Sequence, residues 1–465
     1  MTRSTSLAST DDDASLPLFP PRAARSQSLP VPSSPSSLST FTLTSIKRDA
    51  SQGGTPYFCY VLLLSLAASF MAPWVSIGTL VSYYSRTPRF FTWMNVAFYL
   101  PGLPVSLLQF SLDERFDLSY GSRQVFLFRI LVCLFSIIAI CFLLPSASDS
   151  QTLILCSLLG VVTWSAHGTC IQLASLFSKM AVGFLQFGVQ LPNLWALGLI
   201  LALSLYGVTD ASLYTPSKIK IFYFSQCLLV LAGVVFAILM WRRPFTKNAQ
   251  RSYHRDIEAS AVDAGAEDSM TASLLRSSSA SNPPETRDSL VRSAISKHSF
   301  VLFFTIFASI SSGSFFGQVT STSSSFNIAQ TLYFIRLFSD LGGRFVAASL
   351  PRALLLSSID GLYKLTLLRL AVWVVFFAYI FPGAEFLLPR SDALICALTS
   401  FGSLHSGLCA VLVYEYAGTE IVVRRGMGKE SNAVGARMLN IVFHKACFSA
   451  SVVSLLLGLA FDSLT

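Results

Sequence analysis

From Tyr57 onward the chain is a succession of long apolar runs separated by short polar loops. The runs are far longer than barrel strands, and Phe-rich stretches such as Phe300 to Phe307 show no sustained alternation of polar and apolar positions. A helix that crosses about 30 Å of hydrocarbon needs roughly 20 residues, so span length is the ruler. Eleven segments meet it: 57–84, 90–112, 125–145, 151–177, 181–206, 219–241, 299–319, 327–350, 363–386, 391–416 and 433–461. In lipid each backbone amide has to be satisfied within its own segment unless a barrel closes, so the expected fold is all-α and polytopic.

The polar interruptions divide the chain. Residues 1–56 mix Ser, Thr and Pro with scattered charge and are expected to form a disordered cytosolic tail. Trp241-Arg242-Arg243-Pro244 opens a second Ser-rich stretch, 242–298, expected to be a disordered cytosolic loop. It separates a six-helix bundle, 57–241, from a five-helix bundle, 299–465. An odd number of spans puts the termini on opposite sides. With a cytosolic N-terminus, Lys47, Arg48, Arg115, Arg123, Lys179, Arg242, Arg243, Lys247, Arg352, Lys364, Arg424, Arg425 and Lys429 lie inside, against Arg86, Arg89, Lys218, Lys220 and Arg390 outside. That asymmetry favours a cytosolic N-terminus and an external C-terminus.

Composition agrees with this picture. Of the 465 residues 53% are hydrophobic and 12% charged, with mean hydropathy +0.60; a soluble domain carries about 25% charged side chains. The net charge of +9 sits in loops beside apolar runs, where it meets anionic lipid headgroups; nucleic acid is not an expected partner. Nine cysteines include no C-x-x-C pair and are read as small core residues, and no cofactor or metal is expected. The first residues lack the apolar core of a signal peptide, so the first span is expected to act as the signal. No Walker loop, H-E-x-x-H or G-x-S-x-G string occurs, which gives no support for an ATP-driven pump or a hydrolase.

Ionisable side chains at membrane depth are costly and mark functional sites by default. Asp340 and Arg344 are one helical turn apart, on one face where they can pair; a structural lock on the helix is the competing role. Gly342 and Gly343 would permit close helix approach. Pro73 kinks the first span, and Trp74 after it offers a flat face and an indole donor. His167 could hydrogen-bond a polar solute or respond to pH, and packing is its bland alternative. His405, His444 and Lys445 are weaker; adjacent helical residues point about 100° apart, so His444 and Lys445 cannot share one cavity.

Together these residues resemble the equilibrative nucleoside transporter family. The resemblance is topological over 57–465 and local at Pro73-Trp74 with Tyr83-Tyr84, Asn95-Val96 with Leu103-Pro104, Asp340 with Gly343 and Arg344, and Gly435-Ala436. The chain departs from the pattern at His167-Gly168, where the family has Gln-Gly, and at Leu337, Gly188-Val189-Gln190 and Ser403-Leu404-His405. The resemblance implies a divergent member with a major-facilitator-like 6+5 arrangement in the plasma membrane. It implies facilitative transport of nucleosides or nucleobases by alternating access, with proton linkage open. Trp74 would then flank the base, His167 would bond its edge, and Arg344, oriented by Asp340, would donate to ribose hydroxyls. The alternatives are a major facilitator protein carrying another small solute, and a membrane scaffold or receptor without flux.

Overall fold

The computed structural model describes residues 56–84, 89–207, 213–255, 258, 287–322, 327–349, 358–381, 390–427 and 429–464. The described residues form helices and their connections: α1 (Tyr57–Thr79), α2 (Phe90–Tyr99), α3 (Gly102–Tyr120), α4 (Ser122–Leu143), α5 (Asp149–Phe177), α6 (Lys179–Gly188), α7 (Pro192–Ala202), α8 (Pro216–Arg242), α9 (Ser296–Ser314), α10 (Ile328–Ser349), α11 (Ile359–Ile380), α12 (Asp392–Thr419) and α13 (Lys429–Leu464). Several starts are written in the sequence. Ser148 accepts from the Gln151 amide and donates its own N–H to Oε1 of Gln151 at 2.9 Å, a reciprocal cap on α5. Thr215 caps α8, and Pro216 fills the first position, where no N–H is needed.

Ten spans among the described residues are long and apolar enough to cross a membrane, with α2 and α3 forming one and α6 and α7 another. The 22-residue α10 supplies an eleventh element of spanning length, and Arg336, Asp340 and Arg344 make it less apolar than the rest. The protein is an all-α polytopic membrane protein. Its spans follow the sequence expectation closely, although the first helix stops at Thr79, short of Tyr84.

Two spans are broken at membrane depth. Leu100 and Pro101, ahead of Gly102, separate α2 from α3, and residues 189–191, ahead of Pro192, separate α6 from α7. Such breaks persist in hydrocarbon only where the irregular backbone is buried in protein or lines a cavity, and Val189 and Gln190 line one. Helix α1 packs on α6, α7 and α8, and α5 on α2, α3 and α4. In the second half α9 packs on α11, α12 and α13, while α10 lies along α12. That last crossing is tight. A Cβ on Gly343 would meet the Leu404 carbonyl and come within 2.9 Å of the Leu408 nitrogen, and one on Gly407 would meet the Asp340 carbonyl. The glycines therefore serve helix approach, as expected of Gly343.

The stretch 242–298, expected to be disordered, is ordered in part. It is helical at 244–255 and over Arg287–Ala294, because Tyr253 and Val291 are buried and the Tyr253 hydroxyl accepts from Nε2 of Gln172 at 3.2 Å. Residues 259–286 and the expected tail up to 55 lie outside the described residues. All nine cysteines are unpaired, and eight are buried.

Candidate functional site

A cavity of about 130 Å³ lies at membrane depth where α1, α2, α5 and α6 face α9, α10, α12 and α13. One buried water needs roughly 10–15 Å³ by the same measure, so this space holds several waters or part of a small solute. Its wall includes Trp74, Asn95, Tyr99, Trp164, His167, Gln186, Gln190, Asn193, Tyr333, Arg336, Asp340, Arg344 and Phe443. Aromatic faces and four amide edges stand among aliphatic side chains such as Leu302, Ile306 and Ile310. All four residues singled out from the sequence, Trp74, His167, Asp340 and Arg344, border this one cavity.

Their geometry differs in how much of each is already engaged. One face of Trp74 is stacked on Phe98, with ring centroids 3.7 Å apart and planes 1° from parallel, and its indole donates to the Tyr99 hydroxyl at 3.2 Å. A solute can reach only what remains, its other face. His167 is buried, its Nε2 stands 3.4 Å from Nε2 of Gln186, and its Nδ1 has no hydrogen-bond partner. The ring meets Trp164 edge-on at 5.8 Å. Asp340 and Arg344, 6% and 5% exposed, form the one-turn pair: Arg344 Nε donates to Oδ2 of Asp340 at 2.7 Å. Nη1 of Arg344 also donates to the Gln186 carbonyl on α6. Two of five guanidinium donors are thereby committed, one of them across the cavity.

The weaker candidates fall elsewhere. His405 is buried, with Nε2 3.3 Å from both Oγ1 of Thr366 and Sγ of Cys409, and is absent from the cavity wall. His444 is fully buried edge-on to Trp164 at 4.9 Å, whereas Lys445 is exposed. Tyr84 bonds Tyr223 on α8 at 2.6 Å, and Tyr83 packs on Tyr214, so the aromatic pair braces one end of the spans.

Polar contacts join the two halves toward both ends of the cavity. At the end where α1 stops and α2 begins, Nδ2 of Asn327 donates to Ser82 at 2.8 Å, and Oγ1 of Thr92 donates to the Ser314 carbonyl at 2.7 Å. Gln330 bonds the amide of Gly207 and the carbonyl of Leu205, and the Tyr333 hydroxyl donates to the Val75 carbonyl at 3.2 Å. At the opposite end Nδ2 of Asn432 donates to the Ser175 carbonyl at 3.4 Å, and α6 packs on α12.

The chain is similar in structure to the proton:xylose symporter XylE of the major facilitator superfamily, solved with 6-bromo-6-deoxy-D-glucose bound. The TM-score is 0.52 at 12% identity over 85% of this chain and 87% of that one. The chain has a major-facilitator fold. A partially occluded inward-open structure of the E. coli xylose transporter XylE matches at TM-score 0.49 and 12% identity, over 86% of this chain and 95% of that one. No family model matches the sequence, and no curated protein does.

Sequence reasoning missed Gln186, Asn193 and Tyr333, polar residues common enough in helices that nothing marks them before the spans are assembled. Arg336 and Arg369 were findable. Each is a charge inside a predicted span, the same signal that drew attention to Asp340.

Proposed function

We propose that this chain is a facilitative transporter of nucleosides or nucleobases, with 57–241 and 299–465 rocking about the central cavity by alternating access. The observation that carries the reading is the cavity's chemistry. Flat aromatic surfaces, Trp74, Trp164 and Phe443, stand beside hydrogen-bonding edges from Asn95, Gln190, Asn193 and His167, a lining suited to an uncharged planar ring with a polar rim. The resemblance at Pro73-Trp74 and Asp340-x-x-Gly343-Arg344 supports the same class. In this reading Trp74 and His167 address the base, and Arg344, steadied by Asp340, donates to ribose.

The cross-cavity hydrogen bonds serve as the two gates. Those at Asn327, Gln330 and Tyr333 face outward and the Asn432 contact faces the cytosol, with the N-terminus inside, the C-terminus outside and the plasma membrane as the site of action. The fold shared with a xylose symporter favours one rival, a sugar, whose hydroxyls would suit the same amides. Uptake of labelled purines, pyrimidines, their nucleosides, xylose and glucose into proteoliposomes, with and without a proton gradient, tests the proposal. Saturable nucleoside or nucleobase flux is expected; sugar flux alone, or none of these, overturns it.

A further inference from the structure

A smaller cavity of about 30 Å³ adjoins the central one and shares Ser309, Arg336 and Ser403 with its wall. At its end lies Arg369 of α11, 4% exposed, whose Nη2 donates to Oγ of Ser309 at 2.5 Å. Nε and Nη1 of Arg369 have no hydrogen-bond partner. None of the ion pairs among the described residues includes Arg369 or Arg336.

Room for the Arg336 guanidinium is made by glycine, since a Cβ on Gly313 would run into its Nη1, whereas a Cβ on Gly402 would stand 3.6 Å from Nη1 of Arg369, an ordinary contact. Across both cavities the charged wall residues are Arg336, Arg344, Arg369 and Asp340, and the carboxylate is already held by Arg344. Positive charge is therefore in excess by two at membrane depth. Taking an unpaired guanidinium out of water is among the costliest burials a protein can make. A neutral solute does nothing to offset it, whereas a small anion placed between the two groups would, through charge-assisted bonds to the idle Nε and Nη1.

We propose that Arg336 and Arg369 form an anion subsite, beside Ser309 and Ser312, that opens off the central cavity and is sized for a halide or a single carboxylate. Two sources share that chemistry, a free anion travelling with the solute and a carboxylate carried by the solute itself. The site stands on its own geometry and does not depend on a nucleoside being the cargo.

The test uses the full-length protein, purified in detergent. Its Tm is followed as sodium chloride or sodium acetate replaces sodium 2-morpholinoethanesulfonate at constant ionic strength and pH. Binding that stabilises the folded form should raise Tm saturably, by about 1–2 °C at ten times the dissociation constant. Arg369→Gln removes the buried charge and should abolish the rise while the protein stays monodisperse; Arg336→Gln, at the mouth of the pocket, is the second variant and should blunt it. A wild-type Tm indifferent to both anions, or an undiminished response in both variants, overturns the proposal. Proteoliposome uptake then assigns the source. Stimulation of uridine uptake by chloride identifies a free co-ion. Competition by orotate that exceeds competition by uracil, and that weakens in Arg369→Gln, identifies a solute carboxylate. Should no nucleoside be carried at all, the Tm response still decides the subsite.

Discussion

Asp340 and Arg344 offer the most direct separation of scaffold from site, because the pair is both buried and in the cavity wall. Arg344→Gln leaves a carboxylate at 6% exposure without its cation, and Asp340→Asn leaves the cation without its carboxylate. Each single change is expected to cost about 3–5 kcal/mol, the penalty for stranding one member of a buried pair. In a chain of this size that is a fall in Tm of about 3–6 °C. The double change Asp340→Asn with Arg344→Gln strands nothing. Asn and Gln can still bond across one turn, and Gln can still donate toward the Gln186 carbonyl, so the cost should be about 1 kcal/mol. The coupling energy is then several kcal/mol, read as Tm of detergent-purified protein at one fixed scan rate. Uptake per surface molecule is the second readout. If Arg344 donates to the solute, the double variant reaches the membrane and fails to transport, with nucleosides losing more than free bases. Single variants as stable as the double would refute the energetic argument, and near-wild-type nucleoside uptake by the double would remove Arg344 from the binding site.

Three further outcomes are expected from the packing and the charges. Gly407→Ala should cost about 1–3 kcal/mol by overpacking against the Asp340 backbone and lower flux with it, whereas Gly198→Ala, where a Cβ meets nothing within 4 Å, should be silent; equal Tm values for the two would contradict the crossing geometry. His167→Gln is expected to preserve transport while shifting base preference or pH dependence, since Gln donates and accepts at similar reach but does not titrate; unchanged selectivity and pH profile would make His167 a packing residue. Asp117, beyond the end of its span, has its carboxyl pushed up from 3.8 to about 6 by burial and by Asp113 beside it, against the pull of Arg129. The folded state thus holds the proton more tightly than the unfolded one, and the stability this confers is full below pH 3.8 and lost as pH rises through 6. Asp117→Asn should flatten that part of the Tm–pH curve, and parallel curves for the two proteins would count against it.

The spans were legible because roughly 20 apolar residues in a row admit few other structures. Even α10 was found, since its three charges are spaced among Leu, Phe and Ile. The pairing of Asp340 with Arg344 was legible for a similar reason, as helical geometry alone brings residues four apart together. What the sequence did not reveal depends on contacts between distant segments. That Phe98 would cover one face of Trp74, or that Arg344 would reach the carbonyl of Gln186, 158 positions away, is set by how helices assemble. The helical turns at 244–255 were obscured by their polar composition, and they order because Tyr253 finds Gln172.

The interlocked glycines of α10 and α12 have a consequence for how selectivity can change. With Gly343 against Leu404 and Gly407 against Asp340, the backbones of the two helices are clamped at the level of the cavity. Asp340, Arg344, Ser403 and Ser406 are therefore carried as one rigid plate, and a larger residue at either glycine would displace the whole group together. The opposite wall is tied in the same way, since a Cβ on Gly188 would meet the Leu64 carbonyl and one on Gly160 the Phe98 carbonyl. With both walls held at the backbone, new solute preferences are accessible through the side chains that line the cavity, such as Asn95, His167 or Gln190, rather than through the glycines behind them.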